Sequence, residues 1–205
     1  MAQRPDPARI QPDVTVMVLS SYNPQSVRLF SRGESALTAQ LGAEKKQAKA
    51  CGVSLVGNSL GLRCGGAETE KYRAITVSNI SDPVCAEIAG KVSRCYHGRI
   101  VVEAGAAELI ISNIVPLEDY VASVASGELD SDQPAAMQAQ AVLARTWALK
   151  NRMKHGSAGI CDLTHCQVYM GIDGETKRGR EAARRTSGLV AIWNGQLIEA
   201  YYHST

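Results

Sequence analysis

Pro116-Leu117-Glu118-Asp119-Tyr120, through Gly127-Glu128-Leu129 to Gln138-Ala139-Gln140-Ala141-Val142-Leu143-Ala144-Arg145-Thr146-Trp147, is the part of the chain around which the rest arranges itself. It reads as two helices with one glutamate, Glu128, in the elbow between them. Pro116 suits a first helical turn, where a missing N–H costs nothing, and Glu118 and Asp119 put negative charge at the positive end of that helix. Leu117, Val121 and Val124 fall on one face. Gly127 reads as a C-terminal stop, and Asp132 as an N-cap for a second helix with Pro134 in its first turn.

The second helix, from about Pro134 to Met153, is apolar nearly all round and rich in alanine, which predicts burial on most sides. Gln138, Gln140, Arg145 and Thr146 interrupt it. A buried guanidinium or amide is costly without a partner, so these residues must face partners, water or a cleft. Gln140 and Arg145 are five residues apart and point about 140° away from each other, so they cannot line one stripe. A carboxylate at the mouth of such a helix is a candidate for chemistry.

Upstream, the first 115 residues read as mainly β. Val14 to Leu19 and Ser26 to Phe30 are β-rich runs around a Tyr-Asn-Pro turn and predict a hairpin. Ala36 to Ala50, rich in alanine, glutamine and lysine, is ambiguous and compatible with a helix. Cys51 to Gly66 holds five glycines and two cysteines, which suggests strand and loop closed by a bridge. Tyr72 to Ile80 alternates as a strand does. Tyr96 to Glu103 and Glu108 to Ile114, joined by Ala-Gly-Ala-Ala, make the clearest upstream hairpin.

Downstream comes a loop with unusual chemistry, His155 to Tyr169, containing Cys161, His165 and Cys166. Glu175 to Arg185 reads as a solvated helix. Leu189 to Trp193, Asn194-Gly195 and Leu197 to Tyr202 form a hairpin of the strongest sequence type. The expected fold class is therefore α+β: an antiparallel β-rich N-terminal half, a helix-elbow-helix carrying Glu128, then a C-terminal β-hairpin. A β-rich region over 14–95 and a core over 96–205 are expected, compatible with one continuous domain.

At 205 residues, 45% hydrophobic and 20% charged, the composition is that of a globular protein. The net charge of +2, with no basic stripe interleaved by aromatics, does not favour nucleic acid. No segment approaches the roughly 18 apolar residues of a membrane span. The polar segment Met1 to Asp13 lacks a signal peptide's apolar core, so either the protein is intracellular or an export signal or anchor lies outside this sequence. The six cysteines fall in local pairs, Cys51 with Cys64, Cys85 with Cys95 and Cys161 with Cys166, which suits disulfides in an oxidising, extracytoplasmic compartment, with reduced buried thiols as the alternative. His155, Cys161, His165 and Cys166 also offer enough nitrogen and sulfur ligands for tetrahedral zinc. Zinc and a Cys161–Cys166 disulfide exclude each other, and both remain open from spacing alone; either would act as a structural clip.

These motifs, together with Cys161-Asp162-x-Thr164-His165-Cys166-Gln167-Val168-Tyr169 and Ile198-Glu199-Ala200-Tyr201-Tyr202-His203-Ser204, resemble the SpoIID/LytB domain of bacterial sporulation and cell-wall proteins. The resemblance is strong from about Tyr96 to Thr205. It implies a lytic transglycosylase acting on peptidoglycan glycan strands stripped of stem peptides, needing no catalytic cofactor, or else a non-catalytic wall-binding module that enhances a partner amidase. The family's catalytic glutamate falls in the motif matched by Gly127-Glu128-Leu129, so Glu128 inherits the role of general acid and base. Some members carry zinc at the loop that matches His155 to Cys166.

Cleaving a glycosidic bond needs a proton delivered to the leaving oxygen, and hydrolases need a second carboxylate as well. A lytic transglycosylase can manage with one, because the muramoyl C6 hydroxyl is the nucleophile. Arg145 is expected to pair with Glu128 or touch sugar, and Gln140 to support the elbow; a buried network that orients the elbow is an equal alternative for both. Tyr202, His203 and Ser204 are expected to line a sugar subsite; neighbours on a strand point to opposite faces, which argues against a serine-hydrolase role for His203 and Ser204. Leu129-Asp130-Ser131-Asp132-Gln133 departs from the family's usual Met-Pro and Trp, so the wall of the cleft is expected to differ.

Overall fold

A computed structural model describes residues 12–66, 69–129 and 131–201, with side chains for all of these except 69–71. It begins with β1 (Asp13–Met17), β2 (Ser26–Ser31), β3 (Leu37–Leu41) and β4 (Glu44–Ala48). Next come β5 (Ala50–Val56), β6 (Ser59–Arg63), β7 (Thr69–Tyr72), β8 (Ala74–Ser78), β9 (Val84–Ile88) and β10 (Val92–Tyr96). Then β11 (Arg99–Ala104) and β12 (Leu109–Pro116) lead into α1 (Leu117–Glu128) and α2 (Pro134–Lys150). The chain continues through β13 (Ile160–Cys161), α3 (Lys177–Arg185), β14 (Ile192–Trp193) and β15 (Gln196–Leu197). The fold is α+β, with a β-rich first half and a C-terminal hairpin, as expected.

Two sheets close over one continuous core. A seven-stranded sheet runs β13-β1-β12-β11-β8-β3-β4 and a six-stranded one β10-β9-β2-β5-β6-β7. The β11–β12 hairpin matches the sequence reading, with Val101 opposite Ser112. Val14 to Leu19 and Ser26 to Phe30 do not form a hairpin: β1 pairs with β12 and β2 with β5 and β9. Between them a 3-10 turn at Ser20–Tyr22, flanked by left-handed Leu19 and Asn23, carries the chain from one sheet to the other.

Ala36 to Ala50 is a second correction, because it is the β3–β4 hairpin turning at Gly42, whose φ of +64° suits glycine. Leu37, Ala39 and Leu41 are buried and Thr38 and Gln40 lie between them, so a period of two overrides helix-forming composition. α1 and α2 follow the expected pattern with adjusted ends. Gly127 does not stop α1, which runs on to Glu128 before Leu129 turns extended. Asp132 is not the cap of α2; Gln133 precedes Pro134, and Ser131 Oγ accepts from Gln133 N–H at 3.1 Å. α3 is only half solvated, since Gly179, Ala182 and Ala183 are buried against its neighbours. Among the described residues no helix is long and apolar enough to cross a membrane.

Candidate active site

α1 delivers Glu128. Its first turn carries Glu118 and Asp119, and Tyr120, Val121 and Val124 are wholly buried, so packing fixes the direction in which the last turn points. Glu128 is half-buried, and its Oε1 accepts a hydrogen bond from Val168 N–H at 2.8 Å. Among the described residues no other donor meets this carboxylate. The loop that supplies Val168 is fixed on both sides. Tyr120 Oη donates to Gln167 Oε1 at 2.7 Å, and Tyr169 Oη donates to Asn113 Oδ1 at 2.6 Å. Asn113 Nδ2 in turn donates to the His97 carbonyl at 2.8 Å. The Tyr120 and Tyr169 rings pack with centroids 5.1 Å apart. Sequence reading assigned Asn113 and Gln167 no role; a polar residue wholly buried in a strand, as Asn113 is, becomes recognisable only once burial is known.

Arg145 corrects an expectation. It is 0% exposed and its Nε and Nη2 meet Glu118 Oε1 and Oε2 at 2.8 and 2.5 Å, with Nη1 donating to the Leu189 carbonyl at 2.9 Å. It therefore neither pairs with Glu128 nor is open to a substrate. Burial demanded a carboxylate partner, and Glu118, credited only with a dipole contact, is that partner. Gln140 is buried, but its Nε2 has no hydrogen-bond partner, so no bond from that atom supports the elbow. Thr146 Oγ1 accepts from Ala191 N–H at 2.9 Å, and Lys150 Nζ donates to the Leu197 carbonyl at 2.9 Å; together they dock the C-terminal hairpin on α2. Tyr202, His203 and Ser204, at the end of that segment, lie outside the described residues.

The cysteines divide by chemistry. Cys51–Cys64 and Cys85–Cys95 are disulfides, whereas Cys161 and Cys166 are free and buried. The ligand atoms of His155, Cys161, His165 and Cys166 all lie within 4.8 Å of one another. His155 Nε2 is 3.3 Å from Cys166 Sγ, and His165 Nε2 is 3.2 Å from Cys161 Sγ. Burial pushes the Cys161 thiol up to about 11. Two thiols and two imidazoles converging on one point fit a tetrahedral zinc ion, which would have to displace the thiol protons.

The backbone builds this arrangement. β13 runs parallel to β1, with Val16 beside Ile160. Gly159, at φ +78°, lets the chain pass so close to β1 that an added Cβ would lie 2.1 Å from the Thr15 carbonyl oxygen. Asp162 Oδ2 accepts from Leu19 N–H at 3.0 Å and from Arg94 Nη1 at 3.3 Å. Burial raises the Asp162 carboxyl above its ordinary range, while those bonds and the Arg94 charge pull it back.

A groove of about 400 Å³ lies between α2 and α3, with Ser131, Pro134, Met137, Gln138, Lys177 and Arg178 in its walls. An adjoining hollow of about 180 Å³ shares Met137, Lys177 and Arg178 and reaches Leu129, the residue after Glu128. A larger hollow of about 550 Å³ sits on the six-stranded sheet at Arg28, Gly52, Arg63 and Glu87. Among the described residues, neither Glu128 nor any other candidate site residue lines any of these three hollows; the smallest comes nearest in sequence, at Leu129. Separately, His97 Nε2 lies 3.5 Å from Glu175 Oε1, and Arg180 bridges Glu175 and Asp119. The bond to Glu175 raises His97 above its ordinary value, and burial raises Asp119.

Comparison with known proteins agrees with the motifs. The SpoIID family model, described as a stage II sporulation protein, matches residues 106–193, which supports a role connected with sporulation and the cell wall. An uncharacterized protein of Brachyspira hyodysenteriae is 31% identical over 111 residues, covering 52% of this chain and 30% of that relative. The chain thus spans under a third of that relative's length. No solved structure matches the chain.

Proposed function

From the SpoIID match over residues 106–193 we propose that the protein is a peptidoglycan lytic transglycosylase with Glu128 as its proton donor and acceptor. The observation that carries this is a carboxylate at the end of a buried helix, fixed by the Val168 N–H at 2.8 Å. Protonated Glu128 gives its proton to the glycosidic oxygen as the bond from muramoyl C1 breaks. The resulting carboxylate accepts the proton of the muramoyl C6 hydroxyl as that oxygen bonds to C1. A 1,6-anhydro end forms, the carboxyl is restored and no water is consumed, so one acid–base group suffices.

The surrounding residues orient that carboxylate. Tyr120, Gln167, Tyr169 and Asn113 hold the Val168 amide in place, and the Arg145–Glu118 pair locks α1 against α2. Zinc, held by His155, Cys161, His165 and Cys166, would supply a structural cross-link for the loop that carries Val168. Tyr202, His203 and Ser204 remain proposed sugar contacts. Two disulfides support an extracytoplasmic setting.

Replacing Glu128 with Gln keeps the shape and removes the proton. On denuded glycan strands, mass spectrometry should show anhydro-muramoyl ends from the wild type and at least about 100-fold fewer from Glu128→Gln. Equal product from both proteins overturns the role of Glu128. No product from the wild type, together with stimulation of a cell-wall amidase, replaces the enzyme by an amidase-enhancing module.

A further inference from the structure

Cys161 and Cys166 are thiols in a chain whose other four cysteines are bridged. A medium that oxidises the first four offers the same chemistry to the last two, so the fate of this pair depends on geometry and access. Their sulfurs lie within 4.8 Å of each other, against about 2.05 Å in a disulfide. Cys166 N–H donates to the Leu163 carbonyl at 2.8 Å, so one tight turn already brings the two thiols together. Access differs between them. Cys161 is 0% exposed, whereas Cys166 is 9% exposed and follows the exposed Thr164 and His165. Each sulfur also has its own imidazole, His155 at 3.3 Å from Cys166 and His165 at 3.2 Å from Cys161.

We propose that this pair is a site of thiol–disulfide exchange in which Cys166 attacks a disulfide oxidant, Cys161 closes the bridge, and the bridge and a bound zinc ion exclude each other. The Cys166 proton passes to His155, and Cys166 Sγ attacks one sulfur of the oxidant, whose S–S bond breaks and releases a first thiolate. The Cys161 proton passes to His165, and Cys161 Sγ attacks Cys166 Sγ, releasing the second thiolate. The two thiolates take up the two protons, and the oxidant gains the two electrons that the pair loses. Zinc blocks both attacks, because two Zn–S bonds of about 2.3 Å at a tetrahedral angle hold the sulfurs roughly 3.8 Å apart with their lone pairs engaged. A closed bridge in turn leaves only the two imidazoles, too few to hold the ion. Zinc loading therefore has to precede oxidation. The exchange itself is independent of the reading of Glu128.

The test uses the full chain, one portion loaded with zinc and one treated with chelator, and oxidised glutathione as the probe. Peptide mass spectrometry without reductant follows the pair over time. The metal-free chain should lose its two thiols to a Cys161–Cys166 bridge, and the zinc-loaded chain should do so at least about tenfold more slowly. Metal-free Cys161→Ser, which lacks the second thiol, should accumulate a glutathione adduct at Cys166. Metal-free Cys166→Ser should form its adduct at Cys161 at least about tenfold more slowly, because that sulfur is fully covered. Should either variant fail to fold, early time points of the wild type read the same order, with the Cys166 adduct appearing before the bridge. A chromogenic zinc chelator in competition should show that the bridged chain no longer takes up the ion.

Thiols that persist in the metal-free chain while glutathione is in excess overturn the proposal, as do adducts that form first or equally fast at Cys161. Closure at one rate with and without zinc, or zinc uptake by the bridged chain, overturns the mutual exclusion. Anhydro-muramoyl ends, measured separately on the zinc-loaded chain, report on Glu128 alone: their absence leaves the exchange intact, and their presence without any bridge formation sinks the exchange and keeps the enzyme.

Discussion

Arg145 shows how one buried charge governs its surroundings. Its side chain is 0% exposed while that of its partner, Glu118, is 22% exposed, so the guanidinium has given up water and depends on the carboxylate. Breaking such a pair from one side costs more than the pair contributes, because the remaining charge stays buried. Glu118→Ala should therefore lower stability in urea unfolding by about 3 kcal/mol, the low end for a buried pair because backbone carbonyls share the guanidinium. Arg145→Met, which removes the charge as well, should cost less. A Glu118→Ala protein within about 0.5 kcal/mol of the wild type, the range of an ordinary surface change, would show that the carbonyls suffice. The need for a partner was legible in the sequence, since an arginine in an alanine-rich helix cannot stay unpaired. Its identity was not, because Glu128 and Glu118 are both upstream carboxylates and only packing shows which one Arg145 meets.

The helices owe their closeness to a glycine. A Cβ on Gly179 would lie 1.9 Å from Ser126 Oγ and 2.8 Å from the Ala122 carbonyl oxygen, so α3 crosses α1 with no room for a side chain. Ser126 Oγ also accepts from Thr176 N–H at 3.0 Å, which ties the start of α3 two residues before Glu128. Alanine is the better helix former by about 1 kcal/mol, yet overpacking costs about 1–3 kcal/mol, and here the contact should prevail. Gly179→Ala is expected to melt at a lower temperature and to yield fewer anhydro-muramoyl ends, since the end of α1 must shift. A higher melting temperature would mean that the crossing can relax. Among these elements, the ones with strong periodicity or turn chemistry, α1, α2, β11–β12 and the Asn194-Gly195 hairpin, could be read directly. β3–β4 could not, because Glu44, Lys45, Lys46 and Gln47 favour a helix and only burial of Leu37, Ala39 and Leu41 reveals the strand. β1 and β2 misled for another reason: adjacent β-branched runs predict a hairpin unless the turn between them crosses from one sheet to another.

Across the molecule as a whole the cysteines form two chemically separate sets, and the sets sit in different places. Cys85–Cys95 joins directly opposed residues of β9 and β10, and Cys51–Cys64 closes β5 onto the end of β6, so both strengthen the six-stranded sheet. Loops of these lengths, 13 and 10 residues apart in sequence, correspond to about 3 kcal/mol each by loop-closure entropy. The third pair stands apart because His155 and His165 converge on Cys161 and Cys166, a meeting that cysteine spacing cannot show. Zinc there would order the loop that ends in Val168, whose amide bonds Glu128. Purified without chelator, the protein should carry about one equivalent of zinc, as a four-ligand site implies. Stripping the metal should speed hydrogen exchange at Val168 and through the loop from His155, lower the thermal midpoint and weaken glycan cleavage, while the six-stranded sheet stays protected. Mild reductant in the presence of zinc should do the opposite, loosening β5–β6 and β9–β10 while Val168 stays slow. If chelation leaves exchange at Val168 unchanged, the loop is held by Tyr120, Gln167, Tyr169 and Asn113 alone, and the clip contributes nothing to the position of Glu128.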